Sequence, residues 1–189
     1  MKVLLLFALV LPVLLACGST SVKTQYYQLP HVDAVPTNHE ATQERQLVVL
    51  QSLQLAPYLN QQGIAFQQSP TELSLAKQHL WADDLTSQLQ RHLRQSMASQ
   101  STEWVLLPIG AKASVQLSIQ LDRFVGTAEG YALLSGEYQL QKNTHVVTER
   151  FYIERPLQRD GYPALVEALA EGWQQLSMTI VQQLAQFER

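Results

Sequence analysis

Charge is scarce in this chain. Asp, Glu, Lys and Arg make up 15% of its 189 residues, with 13 Lys and Arg against 16 Asp and Glu and a net charge of −3. No basic block occurs, which excludes a nucleic-acid partner and docking to anionic lipid through charge alone. Cysteine is scarcer still. Cys17 is the only one, so no disulfide can form within the chain and packing must hold the fold together. The apolar run over residues 3–15 is interrupted by Pro12. It would make roughly 20 Å of helix against the roughly 30 Å of a bilayer core, which excludes a permanent span there.

Catalytic signatures are missing as well. There is no GxSxG elbow, Walker loop or GxGxxG turn. The five histidines, His31, His39, His79, His92 and His145, show neither HxH nor HExxH spacing, so no metal is expected. Asp83 and Asp84 are adjacent and point about 100° apart on a helix, so they cannot converge on one atom. They are expected to stabilise a helix start instead. His92 lies beside a leucine stripe and reads as packing or capping. Ser135 falls inside a predicted strand without a candidate base. An enzyme is not expected, and neither is a cofactor.

What is present begins at the N-terminus. Lys2 and the run that follows have the form of a secretory leader, and Leu14-Leu15-Ala16-Cys17 resembles a bacterial lipobox. Small Ala16 lets a peptidase reach the bond before Cys17. The Cys17 thiol can carry a thioether-linked diacylglycerol, and its freed amine can take a further acyl chain such as palmitate. One chain binds a membrane marginally, whereas two or more anchor stably. Gly18, not Asp, follows the cysteine, which favours the periplasmic face of the outer membrane. The expected organisation is therefore a leader over 1–16, a lipidated Cys17 with a tether over 17–25, and one domain over 26–189. Residues 18–25 can reach about 26 to 29 Å when extended.

The domain reads as α+β: a mostly antiparallel sheet with two amphipathic helices packed on one face. Tyr26 and Tyr27 open a short strand that ends at Pro30, one tyrosine facing the core and the other exposed. Residues 31–44 read as a loop. A strand buried on much of both sides follows over 46–55 and ends before Pro57. Residues 64–67 and 71–75 flank Pro70 as a hairpin. Trp81, Leu85, Leu89, Leu93 and Met97 recur every four residues, predicting a helix from about Leu80 to Ser99. Residues 104–109 form a short strand. Alternation over 113–122 and 131–140, and a further strand over 146–154, predict an antiparallel meander. Leu165, Leu169, Trp173, Leu176, Ile180 and Leu184 mark a second helix over 162–187.

In this frame the order lipobox, Tyr26-Tyr27-Gln28-Leu29, Leu55-Ala56-Pro57-Tyr58-Leu59-Asn60, Ile64, Glu72-Leu73, Leu80-Trp81-Ala82-Asp83-Asp84-Leu85 and Gly161-Tyr162-Pro163 resembles the ABC-type transport auxiliary lipoprotein family. The likeness is to the branch whose members are outer-membrane lipoproteins of a paraquat-inducible intermembrane transport system. It covers nearly the whole domain through packing motifs. One departure stands out: Gln61-Gln62-Gly63 occupies the place where a basic residue and Pro often precede the Ile.

The resemblance implies a non-catalytic docking or scaffold subunit of an MCE-type lipid transport system that supports envelope integrity. Its implied partners are an MCE-domain protein spanning the periplasm and the outer membrane itself, with a homo-oligomeric ring as a further expectation. Tyr58, Leu59 and Ile64 are the expected partner-binding residues, and Cys17 the lipidation site. Two other classes compete: a stand-alone periplasmic lipid-binding lipoprotein, which needs an apolar cavity open to solvent, and a periplasmic hydrolase, which needs a Ser or His with a partner in a cleft.

Overall fold

The computed structural model describes residues 23–32 and 45–187. The strands are β1 (Gln25–Tyr27), β2 (Gln46–Leu55), β3 (Gly63–Ser69), β4 (Glu72–Trp81), β5 (Trp104–Leu107), β6 (Val115–Thr127), β7 (Tyr131–Lys142) and β8 (His145–Pro156). The helices are α1 (Leu85–Gln100) and α2 (Tyr162–Phe187), and a single 3₁₀ turn spans Pro57–Asn60. The expected α+β class holds.

β6 is the spine of the eight-stranded sheet. Along one flank it pairs antiparallel with β7, and β7 with β8, which is the predicted meander. Its other flank is shared. The first half pairs parallel with β2, and the tip, at Phe66↔Gly126 and Gln67↔Thr127, pairs parallel with β3. The sheet therefore forks into a β2–β5 branch and a β3–β4–β1 branch. β3–β4 is the expected hairpin, extended in both directions, while β1–β4 and β2–β5 run parallel. The sheet is thus mixed, with its longest ladders antiparallel.

Both helices lie over one face. Val115, Leu117, Ile119 and Leu121 of β6 and Leu134, Tyr138 and Leu140 of β7 are buried beneath them, and all six members of the α2 stripe are buried too. Trp173, fully enclosed, donates from Nε1 to the Leu89 carbonyl at 3.1 Å and takes the Phe124 ring edge-on at 6.5 Å between centroids. One side chain thereby ties α2 to α1 and to the sheet. Two glycines set the helix–sheet distance. A Cβ on Gly126 would stand 2.7 Å from Leu165 Cδ2, and one on Gly172 2.6 Å from Leu134 Cδ1, closer than packed carbons approach.

α1 begins later than its leucine period implies. Leu80 and Trp81 finish β4, and the helix starts at Leu85. Trp81 continues the stripe because it too faces the core, packing against Phe124 at 6.2 Å. Asp84 is the N-cap: its carboxylate accepts the Ser87 N–H at 2.8 Å, which satisfies one of the orphan donors of the first turn. Asp83 instead pairs with Arg91 at 3.2 Å.

The N-terminal segment is laced onto α1. The Leu29 N–H donates to Gln88 Oε1 at 2.9 Å, and Gln88 Nε2 donates to the Asp83 carbonyl at 2.9 Å. Tyr26 is exposed and Tyr27 half-buried. The Tyr27 hydroxyl lies 2.9 Å from His79 Nδ1, and the His79 ring stacks on Tyr162 at 3.8 Å.

Candidate partner-binding surface

The face of the sheet away from the helices is open, and register arranges it in rows. Gln54, Gln120, Glu137 and Arg150 stand in one row, and Ser52, Ser118, Gln139 and Thr148 in the next. A bulge between Leu121 and Arg123 then reverses the alternation. Beyond it the odd positions of β6, buried under the helices up to Leu121, turn away from them. Arg123 therefore points to the face opposite Leu121, in a row with Ser135 and Tyr152, while Val125 and Leu133 in the next row are buried in the main hydrophobic cluster.

At this end the surface changes character. Arg123 Nε donates to Ser135 Oγ at 2.9 Å, and its guanidinium carbon lies 5.7 Å from the centre of the Tyr152 ring. That arrangement fixes a cation against an aromatic face. The Tyr152 hydroxyl donates to Glu154 Oε1 at 2.7 Å, and this bond, followed by burial and the Glu154 charge, raises the phenol pKa above its ordinary value. Tyr152 is 59% exposed and Tyr131 40%. Together with Gln67, Thr127 and Leu133 they line a cavity of about 280 Å³. Tyrosine and arginine dominate binding energy at protein interfaces because they offer large, stiff contact area with polar tips.

Of the three loop residues expected to bind a partner, Tyr58 alone reaches this surface. It is half-buried, and its hydroxyl donates to the Asp122 carbonyl at 2.8 Å. Burial raises its pKa, with nearby Arg123 acting in the opposite sense. Leu59 and Ile64 are 3% and 0% exposed and belong to the main hydrophobic cluster. This corrects the expectation that their side chains contact a partner: they hold the 3₁₀ turn and β3 from beneath. Ala16 and Cys17 lie outside the described residues.

The sequence does not single out Arg123, because the bulge at Asp122 shifts the period of β6, nor Tyr131 and Tyr152, because only the pairing of β6, β7 and β8 brings them beside it. The only local signal is Asp122-Arg123, two charges entering an otherwise strict alternation. Elsewhere, His92 is buried, with Nδ1 3.2 Å from Ser96 Oγ. Burial, and secondarily His31, pulls its pKa down to about 4, so it packs as a neutral ring, as expected. It borders a cleft of about 560 Å³ whose walls include His31, Gln100, Glu167 and Glu171. An apolar cleft of about 270 Å³, lined by Phe66, Leu157, Tyr162 and Leu165, is below the size that encloses even drug-sized ligands. Among the described residues no group of three metal-ligating side chains converges, and no helix is long and apolar enough to cross a membrane.

Residues 27–181 match the model of a family described as the ABC-type transport auxiliary lipoprotein component. Over 173 residues the chain is 30% identical to the intermembrane transport lipoprotein PqiC of Escherichia coli (strain K12), covering 90% of this chain and 91% of that one. The crystal structure of an uncharacterized protein is similar with a TM-score of 0.74 at 30% identity, over 86% of this chain and 99% of the other. A protein from Xanthomonas campestris is similar in fold, with a TM-score of 0.67 at 20% identity and the same coverage. The chain belongs to the ABC-type transport auxiliary lipoprotein family.

Proposed function

We propose that this lipoprotein is a non-catalytic docking subunit of an intermembrane lipid transport system. It is anchored through lipidated Cys17 to the periplasmic face of the outer membrane, and it receives the distal end of an MCE-domain protein on the open face of its sheet. Likeness to PqiC, named for intermembrane transport, supports the system. The observation that carries the docking role is the fixed Arg123–Tyr152 pair, flanked by exposed Tyr131 and half-buried Tyr58. The modest size and partly polar lining of the apolar cleft beside Tyr162 favour docking over carriage of lipid by this chain alone.

The test is capture of the MCE-domain subunit from solubilised envelopes. Arg123→Ala/Tyr152→Ala should lose it while retaining a cooperative melt, and equal capture by wild type and double variant would remove this face from the interface. For the anchor, Cys17→Ala should move the protein from the membrane to the soluble fraction and leave the envelope permeable. A soluble variant that restores the permeability barrier fully would show that the anchor is dispensable.

A further inference from the structure

One fixed cation and two carboxylates face the same space without meeting. The cavity of about 280 Å³ at the forked end of the sheet is bounded by the β3–β4 turn, at Ser69 and Pro70, and by the β6–β7 turn, which carries Glu129. Arg123 and Glu154 line it from the strands.

Each charge is held in place. Arg123 is pinned twice, through Nε to Ser135 and by its guanidinium against the Tyr152 ring, so swinging towards a carboxylate would cost both contacts. Its two Nη groups have no partner among the described residues. They form the planar fork that receives a carboxylate or phosphate through two parallel bonds. Glu154 takes the Tyr152 hydroxyl on one oxygen. Glu129 rides on a turn tied back by the Ala128 N–H to the Gln67 carbonyl at 3.2 Å and by the Tyr131 N–H to Thr127 Oγ1 at 3.3 Å. Neither carboxylate forms an ion pair among the described residues.

Together these charges select a class of ligand. A simple anion would meet Arg123 but also two carboxylates, and a simple amine would meet the carboxylates but also the guanidinium. A molecule with one anionic and one ammonium pole meets opposite charge at both ends, and the exposed Tyr131 ring offers a π face to the ammonium. The space suits a lipid head or an amino acid, not a whole lipid.

We propose that this cavity is a binding site for a small zwitterion, its anionic pole on Arg123 and its ammonium pole on Glu129 and Glu154. A phosphoethanolamine head and a free amino acid share that chemistry. The lipid-head source rests on the reading of this chain as part of a lipid transport system; the zwitterion site stands on its own charges.

The test titrates the full chain, in maltoside micelles, with glycerophosphoethanolamine, β-alanine, ethanolamine and glycerol 3-phosphate, following Arg123 and Tyr131 by NMR. At least one zwitterion should bind with a Kd of about 1 mM or tighter, and each single-charge ligand about tenfold more weakly or worse. Tighter binding of glycerophosphoethanolamine assigns the site to a lipid head, and tighter binding of β-alanine to an amino acid; both uphold the site. Arg123→Gln should weaken the preferred zwitterion about tenfold or more. Glu129→Gln/Glu154→Gln should weaken it too while strengthening glycerol 3-phosphate, a reversal that damage to the fold does not produce. Should the double variant fail to fold, Glu129→Gln alone, on an exposed turn, should give the same reversal in smaller measure. The proposal is overturned if neither zwitterion binds at about 10 mM, if a single-charge ligand binds wild type as tightly as a zwitterion, or if neutralising the carboxylates brings no reversal. Absence of zwitterion binding together with loss of partner capture in Arg123→Ala/Tyr152→Ala would sink this site and leave docking standing. Zwitterion binding with capture unaffected would do the reverse.

Discussion

Beneath the helices, Leu117, Leu121, Phe124, Leu134 and Leu140 are almost wholly enclosed, while across the same strands the opposite face shows Ser118, Gln120, Gln139 and Gln141. Neither face is dense in charge, although the open one carries Arg123, Glu137, Arg150 and Glu154 among its amides and hydroxyls, and the reasons differ. The covered face excludes polar atoms because each would need a partner. The open face is polar enough to stay wet, yet amides and hydroxyls are cheaper to strip of water than carboxylates or ammonium groups. Interface cores are depleted of charge for the same reason. One face holds the molecule together, and the other keeps the cost of contact low.

The contrast can be broken most severely from the covered side. Trp173→Ala removes the enclosed ring and its hydrogen bond to the Leu89 carbonyl. It should cost about 3–5 kcal/mol, read from urea unfolding. A loss below about 1 kcal/mol would mean that the helices are held independently of this residue.

A second break uses pH. Because His92 has a folded pKa of about 4 and an unfolded value of about 6.5, the unfolded chain binds more protons between these two values. Stability from neutral His92 is therefore present above about pH 6.5 and declines as pH falls towards 4, by on the order of 2–3 kcal/mol. In His92→Gln the loss over that window should shrink. An unchanged pH dependence would show that the ring is not kept neutral in the fold.

Asp84→Ala should cost about 1 kcal/mol through loss of the N-cap. Asp83→Ala should cost less, since its pair with Arg91 is half exposed. Equal melting temperatures for the two variants would contradict the capping assignment. Smallest of all, Arg123→Ala and Tyr152→Ala should shift stability by no more than about 0.5 kcal/mol while abolishing capture of a partner. A large loss of stability there would make the open face structural after all.

How much of this was legible in the sequence depends on distance along the chain. The β6–β7–β8 meander and α2 were readable because each pairs with its neighbour and keeps one period, in β6 as far as the bulge after Leu121. The fork at β6 was not, since parallel pairs such as Leu50↔Leu117 join segments with no local signature. Leu80 and Trp81 were assigned to the helix because a core-facing residue at the end of a strand fell on the helical period by position. Arg123 was hidden by a single bulge. The pattern Tyr58-Leu59 reads in the sequence only as a partner-binding loop, and does not reveal a 3₁₀ turn in which the tyrosine lies half in and the leucine wholly in.

The fork has a consequence in time. β6, β7, β8 and α2 occupy the last part of the chain and pair mostly with near neighbours, whereas β2 and β3 find their places only on a finished β6. Long-range parallel pairing forms slowly because its loops must close before any contact rewards them. Strands made first are thus fitted last: the N-terminal half waits as an open chain until the C-terminal meander offers an edge. Pulse-labelled hydrogen exchange during refolding should protect β6–β8 amides before those of β2, and the reverse order would place the folding nucleus elsewhere.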